Sequence, residues 1–201
     1  MALVTDEQII KVLRQYNPWW RSPIIIKEES KPQKRVAYYE ALKMMGHPSI
    51  RRFVVLSGAR RVGKTTILYQ MMEHFIDEGI SPRNIFYISF DNPIIKQVSV
   101  EKVIEIYESL YPVTGTRYFF FDEIQYMENW ELWLKVLYDS RKDIRLTATG
   151  SASPLLEKGA ADSGTGRWTV LKVPTMSFYE YCRLLQLEEP ILPDSLKLTK
   201  L

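Results

Sequence analysis

The sequence predicts a three-layer α/β fold: a mostly parallel sheet of about five strands, helices on both faces, and an N-terminal helical extension. Three observations carry this. From residue 53 onward, short apolar runs of strand composition alternate with segments whose apolar residues recur at helical spacing. That alternation builds parallel sheets through right-handed crossovers. The first run ends in a glycine-bracketed turn that opens a helix, and a later run ends in two adjacent acids. No internal repeat interrupts the pattern.

Residues 5–16 read as a helix, capped by Thr5 or Asp6, with Ile9, Ile10, Leu13 and Tyr16 in one apolar stripe. Asn17-Pro18 stops it. Trp19 and Trp20 follow, then the polar stretch KEESKPQKR (27–35), read as an exposed connection. Residues 35–45 form a second helix, ended by Gly46 and Pro48. FVVLS (53–57) is a continuous apolar run of the buried parallel-strand kind. The helix from about Lys64 to Glu78 places Ile67, Leu68, Met71, Met72, Phe75 and Ile76 at helical spacing, and Gly79 stops it. IFYISF (85–90) is a strand by its β-branched and aromatic content. Ser99 caps a helix with Val100, Val103, Ile104, Tyr107 and Leu110 on one side. YFFFD (118–122) is the most apolar strand. A helix over 130–141 turns Trp130, Trp133, Leu134, Leu137 and Tyr138 inward, and strands follow at 144–150 and 168–173. GAADSGTG (159–166) reads as a mobile loop.

Composition sets the frame. Of 201 residues, 46% are hydrophobic and 25% charged, the balance of a soluble chain large enough for one well-buried domain with extensions. No apolar run approaches the roughly 20 residues of a membrane helix. The N-terminus MALVTDEQII does not read as a secretory signal, and the single Cys182 cannot form an internal disulfide, so a cytoplasmic location is expected. Net charge is +3, but residues 1–64 hold 13 Lys/Arg against 5 Asp/Glu, while residues 65–201 hold 14 against 19. The basic excess belongs partly to the glycine-bracketed turn. The rest is either a solvated face or a surface for nucleic acid or an acidic partner.

Gly58-Ala59-Arg60-Arg61-Val62-Gly63-Lys64-Thr65 fits G-x-x-x-x-G-K-[ST]. Gly58 and Gly63 permit backbone conformations closed to other residues. Successive N–H groups can then turn inward as a nest for phosphate oxygens, and the following helix adds partial positive charge. Lys64 is suited to neutralise β and γ phosphates, the Thr65 hydroxyl to bind Mg²⁺, and Thr66 continues the binding segment. The motif follows a buried strand and opens an amphipathic helix, which is the context its chemistry needs. The expected ligand is Mg·ATP.

Asp122 and Glu123 lie at the C-terminal end of the apolar strand, the edge where parallel sheets bind ligands. Asp122 is expected to hold Mg²⁺ and its waters. Glu123 is expected to orient and polarise the attacking water of ATP hydrolysis. No Asn-Lys-x-Asp motif follows, which disfavours guanine recognition. The next strand ends in Thr149-Gly150-Ser151. If it lies between the loop strand and the acid strand, the Thr149 or Ser151 hydroxyl is placed to contact the γ-phosphate or the lytic water; the equal alternative is that both only bond local backbone. Arg167 is either an arginine finger, in cis or from a neighbouring subunit, or a surface ion-pair residue. Trp19, Trp20, Trp130 and Trp133 read as packing, with weaker claims on a base for Trp19, Trp20, Tyr38 and Tyr39. His47 and His74 are isolated, so no structural zinc is expected.

Taken together these residues resemble prokaryotic AAA-like P-loop ATPases that carry a C-terminal domain of unknown function. The resemblance covers about residues 8–184. It includes Asn17-Pro18-Trp19-Trp20, the loop from Gly58 to Thr66, Tyr87-Ile88-Ser89-Phe90-Asp91, and Phe121-Asp122-Glu123-Ile124-Gln125-Tyr126. Trp130-Glu131, Leu137-Tyr138-Asp139, Thr149-Gly150-Ser151, Gly166-Arg167 and Pro174-Thr175-Met176-Ser177-Phe178-Tyr179-Glu180-Tyr181 complete it. The resemblance implies an additional-strand P-loop NTPase core, with ATP as ligand and Mg²⁺ as cofactor. Ala59 stands where proline is usual. Relatives also continue well beyond the last motif. The expected organisation is therefore a helical extension over 1–50, the ATPase core over 51–181, and the start of a truncated C-terminal region over 182–201. The partner is expected to be an unidentified protein or a second copy of the chain.

Overall fold

The computed structural model describes residues 4–47, 50–112, 114–151 and 166–187. The loop expected at 159–166 falls outside them except for Gly166, as does the segment 188–201. Helix α1 (Asp6–Tyr16) opens with a capping box, in which Thr5 and Gln8 bond each other's backbone N–H groups. Two further helices, α2 (Ile25–Glu29) and α3 (Val36–Met45), precede the sheet. Then β1 (Phe53–Gly58), α4 (Lys64–Asp77), β2 (Ile85–Ser89), α5 (Val100–Leu110) and β3 (Arg117–Asp122) alternate. Helix α6 (Trp130–Ser140), β4 (Ile144–Ser151), β5 (Trp168–Lys172) and α7 (Phe178–Leu184) follow.

The strands form one sheet in the order β2-β3-β4-β1-β5, and every pairing is parallel. Strand β4 thus separates the loop strand β1 from the acid strand β3. All C-terminal strand ends therefore share one edge.

Side-chain alternation assigns the helices to faces. Along β3, Tyr118 and Phe120 reach Phe75 of α4, at centroid distances of 4.3 and 6.4 Å. Phe119 reaches Tyr107 of α5 at 5.8 Å. Successive strand residues leave opposite faces, so α4 and α5 flank the sheet. Thr147, in register with Phe120 and with Val54, bonds the Met45 sulfur of α3, placing α3 beside α4. Phe53 points the other way and meets Tyr138 of α6 at 5.2 Å. The strands read as uninterrupted apolar runs because both faces are covered. Each fully buried aromatic or aliphatic side chain here contributes roughly 1.5–3 kcal/mol.

The N-terminal segment covers the exposed edge of β2. Asn17, 1% exposed, donates from Nδ2 to Tyr87 O (2.8 Å) and accepts from Tyr87 N–H (2.7 Å), imitating a neighbouring strand. The indole N–H groups of Trp19 and Trp20 both donate to Ile85 O, at 3.1 and 2.9 Å. The two tryptophans are therefore packing residues that also satisfy one edge carbonyl. The stretch 27–35, expected as an exposed connection, departs from that reading. It contains the end of α2, and its Ser30 and Arg35 are buried. Ser30 bonds Glu73 and Arg35 bonds Glu180, polar partners too distant in sequence to be seen locally.

Candidate nucleotide site

The loop between β1 and α4 is shaped by two glycines for different reasons. A Cβ on Gly58 would sit 2.3 Å from Val173 O, just beyond β5, so only glycine lets the two backbones meet. Gly63 has φ of 89°, the left-handed region, and opens α4 without a side-chain cap. Arg61 is also left-handed at φ 66°, an arrangement of successive N–H groups found in anion nests. Lys64 is buried at 4% exposure, and its ammonium donates to Gly58 O (3.0 Å) and Ala59 O (2.9 Å). Burial holds it below the ordinary lysine range, against the opposing influence of Glu123 and Asp122.

Asp122 ends β3 at 4% exposure and gathers three hydroxyl donors. Thr65 donates to it at 2.9 Å, Tyr87 at 3.0 Å, and Thr149 through a short bond. Burial raises its carboxyl above the usual range, and the three hydrogen bonds oppose that shift. Burial also pushes the Tyr87 hydroxyl up, aided by the adjacent Asp122 charge, so Tyr87 acts as a neutral donor. Glu123 breaks the strand with φ of 55°. Its N–H donates to Thr149 Oγ1 (3.0 Å), and its carboxylate accepts from Gln125 Nε2. Gln125 Oε1 in turn accepts from Ser151 N–H at 3.1 Å. The tips of β3 and β4 are thereby stitched together.

The structure brings Lys64, Thr65, Asp122, Glu123, Thr149 and Ser151 to one edge. Arg167 is not among them. It precedes β5, where its carbonyl accepts from Phe53 N–H, at the opposite end of β1 from the loop. Five residue steps along β1 separate those ends, roughly 16 Å. Its guanidinium pairs with Asp139 at 3.0 Å. Within one chain the finger reading is therefore replaced by the ion-pair reading. Sequence reasoning gave no role to Tyr87 or Gln125, although both stand inside the motifs that carry the family resemblance.

Beside the loop lies a cavity of about 570 Å³. Its walls are residues 31–35, the loop from Ala59 to Gly63, Thr66, Ile67 and Gln70 of α4, and Thr175, Glu180 and neighbouring residues of the C-terminal segment. Neither Trp19, Trp20, Tyr38 nor Tyr39 lines it. Gln70 donates to Lys31 O (2.6 Å) and Gln33 O (2.9 Å), which fixes the 31–33 wall. Among the described residues, no group of three or more His, Cys, Asp or Glu gathers into a metal cluster, and no helix is long and apolar enough to cross a membrane.

Comparison with known proteins identifies the family. An uncharacterized protein of Methanocaldococcus jannaschii is 33% identical over 130 residues, covering 64% of this chain and 28% of that protein. An uncharacterized protein of Haemophilus influenzae is 30% identical over 129 residues, covering 63% of this chain and 32% of its own length. The matched stretch thus spans less than a third of either relative. The solved structure of C. elegans PCH-2 is similar over 98% of this chain and 55% of that chain, with a TM-score of 0.49 and 13% identity. The family described as AAA domain matches residues 50–182, from just before the loop strand to the middle of α7. With that match covering most of the chain, and with an all-parallel sheet that inserts a strand between loop and acids, this protein belongs to the AAA-domain family and has a P-loop NTPase-type core.

Proposed function

We propose that the chain binds Mg·ATP at residues 58–66 and hydrolyses it in the cytoplasm, coupling nucleotide state to an attached domain or partner. The observation that carries this reading is the contact between Thr65 and Asp122 at the edge where Lys64 and the loop N–H groups meet. Two hard oxygen ligands lie side by side there, suited to a Mg²⁺ ion that takes few protein ligands and completes its shell with water and phosphate oxygens. The loop N–H groups and Lys64 would bind the β and γ phosphates, and Glu123 would orient the attacking water. The adjoining cavity is the natural place for the nucleoside, against residues 31–35 and Ile67.

A second reading has one specific observation in its favour. The Glu123 carboxylate is engaged by Gln125, which fits a nucleotide-operated switch whose turnover waits for a partner. Steady-state phosphate release with and without Glu123→Gln separates the two. The hydrolase reading expects wild-type turnover and a loss of roughly 10²-fold or more in the variant with binding retained. Nucleotide binding by both proteins with turnover by neither favours the switch.

A further inference from the structure

The motif at 174–181 lends Thr175, Met176 and Glu180 to the cavity wall, and one side chain ties it to the loop as well. Arg35, 8% exposed, uses its whole guanidinium. Nε and Nη2 grip the Glu180 carboxylate of α7 at 3.0 and 2.8 Å, a bidentate pair. Nη1 donates to Val62 O at 2.8 Å and to Pro174 O at 3.1 Å, and Nη2 reaches Thr175 O at 3.4 Å. Glu180 is fixed in turn by a capping box with Ser177. Four segments thus converge on one cation: the start of α3, the phosphate loop, the exit of β5, and α7.

The contact with Val62 has a consequence inside the loop. The 62–63 peptide is planar and trans, so its carbonyl and the following N–H point in opposite directions. Holding Val62 O toward Arg35 therefore fixes the Gly63 N–H away from Arg35. One residue before Pro174, Val173 N–H donates to Ser57 O at 2.7 Å, and Val173 O lies against Gly58. The β5 exit and α7 consequently cannot shift without disturbing both glycines of the loop. A buried ion pair is a poor device for stability alone, because desolvation consumes most of its attraction.

We propose that Arg35 and Glu180 are positioning residues that set the phosphate loop for nucleotide and couple its occupancy to the position of α7. This rests on the nucleotide reading above. By thermodynamic linkage the coupling runs both ways: nucleotide steadies α7, and displacement of α7 weakens nucleotide binding. Helix α7 is suited to transmit that change, since Phe178, Tyr181 and Leu184 on it are exposed.

The test is calorimetric titration of Mg·ATP into wild type, Arg35→Lys, Arg35→Gln, Glu180→Gln and the double variant Arg35→Gln/Glu180→Gln, alongside the Tm of each without nucleotide. The expected result is roughly tenfold weaker binding in each single variant. The double variant should bind no more weakly than the single ones, because either change breaks the same clamp. Hydrogen exchange over 177–185 should slow on nucleotide addition in wild type and not in the variants. A lowered Tm with unchanged nucleotide affinity makes the pair a structural brace and overturns the proposal. Should Arg35→Gln fail to fold, Arg35→Lys and Glu180→Gln decide by the same criterion. A wild type that binds no Mg·ATP removes the nucleotide reading itself, whereas variants that bind as well as a binding wild type remove only the clamp.

Discussion

The two ends of the parallel strands treat charge in opposite ways. At the C-terminal ends, Lys64 and Asp122 are buried, and burial pushes each toward its neutral form. At the N-terminal ends, Arg117 and Arg141 share Asp143 and Glu108, while Arg167 pairs with Asp139. There the pairing reinforces charge: Asp143 and Asp139 are held below the usual carboxylate range by their arginine partners, and Arg141 is raised by Asp143 and Glu108. One end is neutralised within the fold. The other keeps charged groups whose burial is offset only in part, the condition expected where a ligand supplies the missing charge. Arg167 belongs to the first kind, which accounts for its distance from the loop.

The sharpest way to break this contrast is at Lys64. Lys64→Ala should weaken Mg·ATP binding on the order of a hundredfold or more, measured by calorimetry, because it removes the charged donor proposed to bind the phosphates. Comparable binding by the variant would place the nucleotide elsewhere.

Asp122→Asn should abolish the dependence of nucleotide affinity on Mg²⁺ while leaving the Tm of the nucleotide-free protein no lower than wild type. A carboxylate held against its own desolvation is a functional liability, so neutralising it does not cost stability. A marked fall in Tm would mean that the acid braces the fold.

The opposite end gives the reverse result. Asp143→Asn should lower stability by about 1 kcal/mol at pH 7, a value that allows for solvent screening of a partly exposed network, and leave nucleotide affinity unchanged. The sign follows from the depressed carboxyl. Its contribution is present above the unfolded-state pKa, near 3.9, and is lost as pH falls through the lower folded value. The Tm gap between wild type and variant should close on acidification and shrink with salt.

The same linkage applies to Glu180, which Arg35 holds down to about 2. The stabilising effect of Glu180 relative to Glu180→Gln should be complete above the unfolded-state pKa, near 4.3, and decline from there until it is lost as pH falls through about 2. The smallest effect belongs to Arg167→Ala, whose exposed ion pair should alter Tm little and nucleotide binding by one chain not at all. A large loss of turnover confined to concentrated protein would instead place Arg167 at a neighbouring subunit's site.

Sequence alone determined what depends on local pattern. Runs such as FVVLS and YFFFD are readable as strands because both sheet faces demand apolar side chains. The loop is readable because glycine conformations, a lysine and a threonine must stand at fixed spacing to bind phosphate. Tertiary structure alone decided what depends on which segments meet. Thr149 and Tyr87 reach Asp122 only because β4 and β2 flank β3. Asn17 earns its burial from the unpaired edge of β2. Arg35 lies in a stretch that reads as solvated linker, and its partner Glu180 stands 145 residues away. Hydrophobic periodicity records the face a residue presents and is silent about polar pairs, because a buried charge is permitted only by a partner that the fold must first deliver.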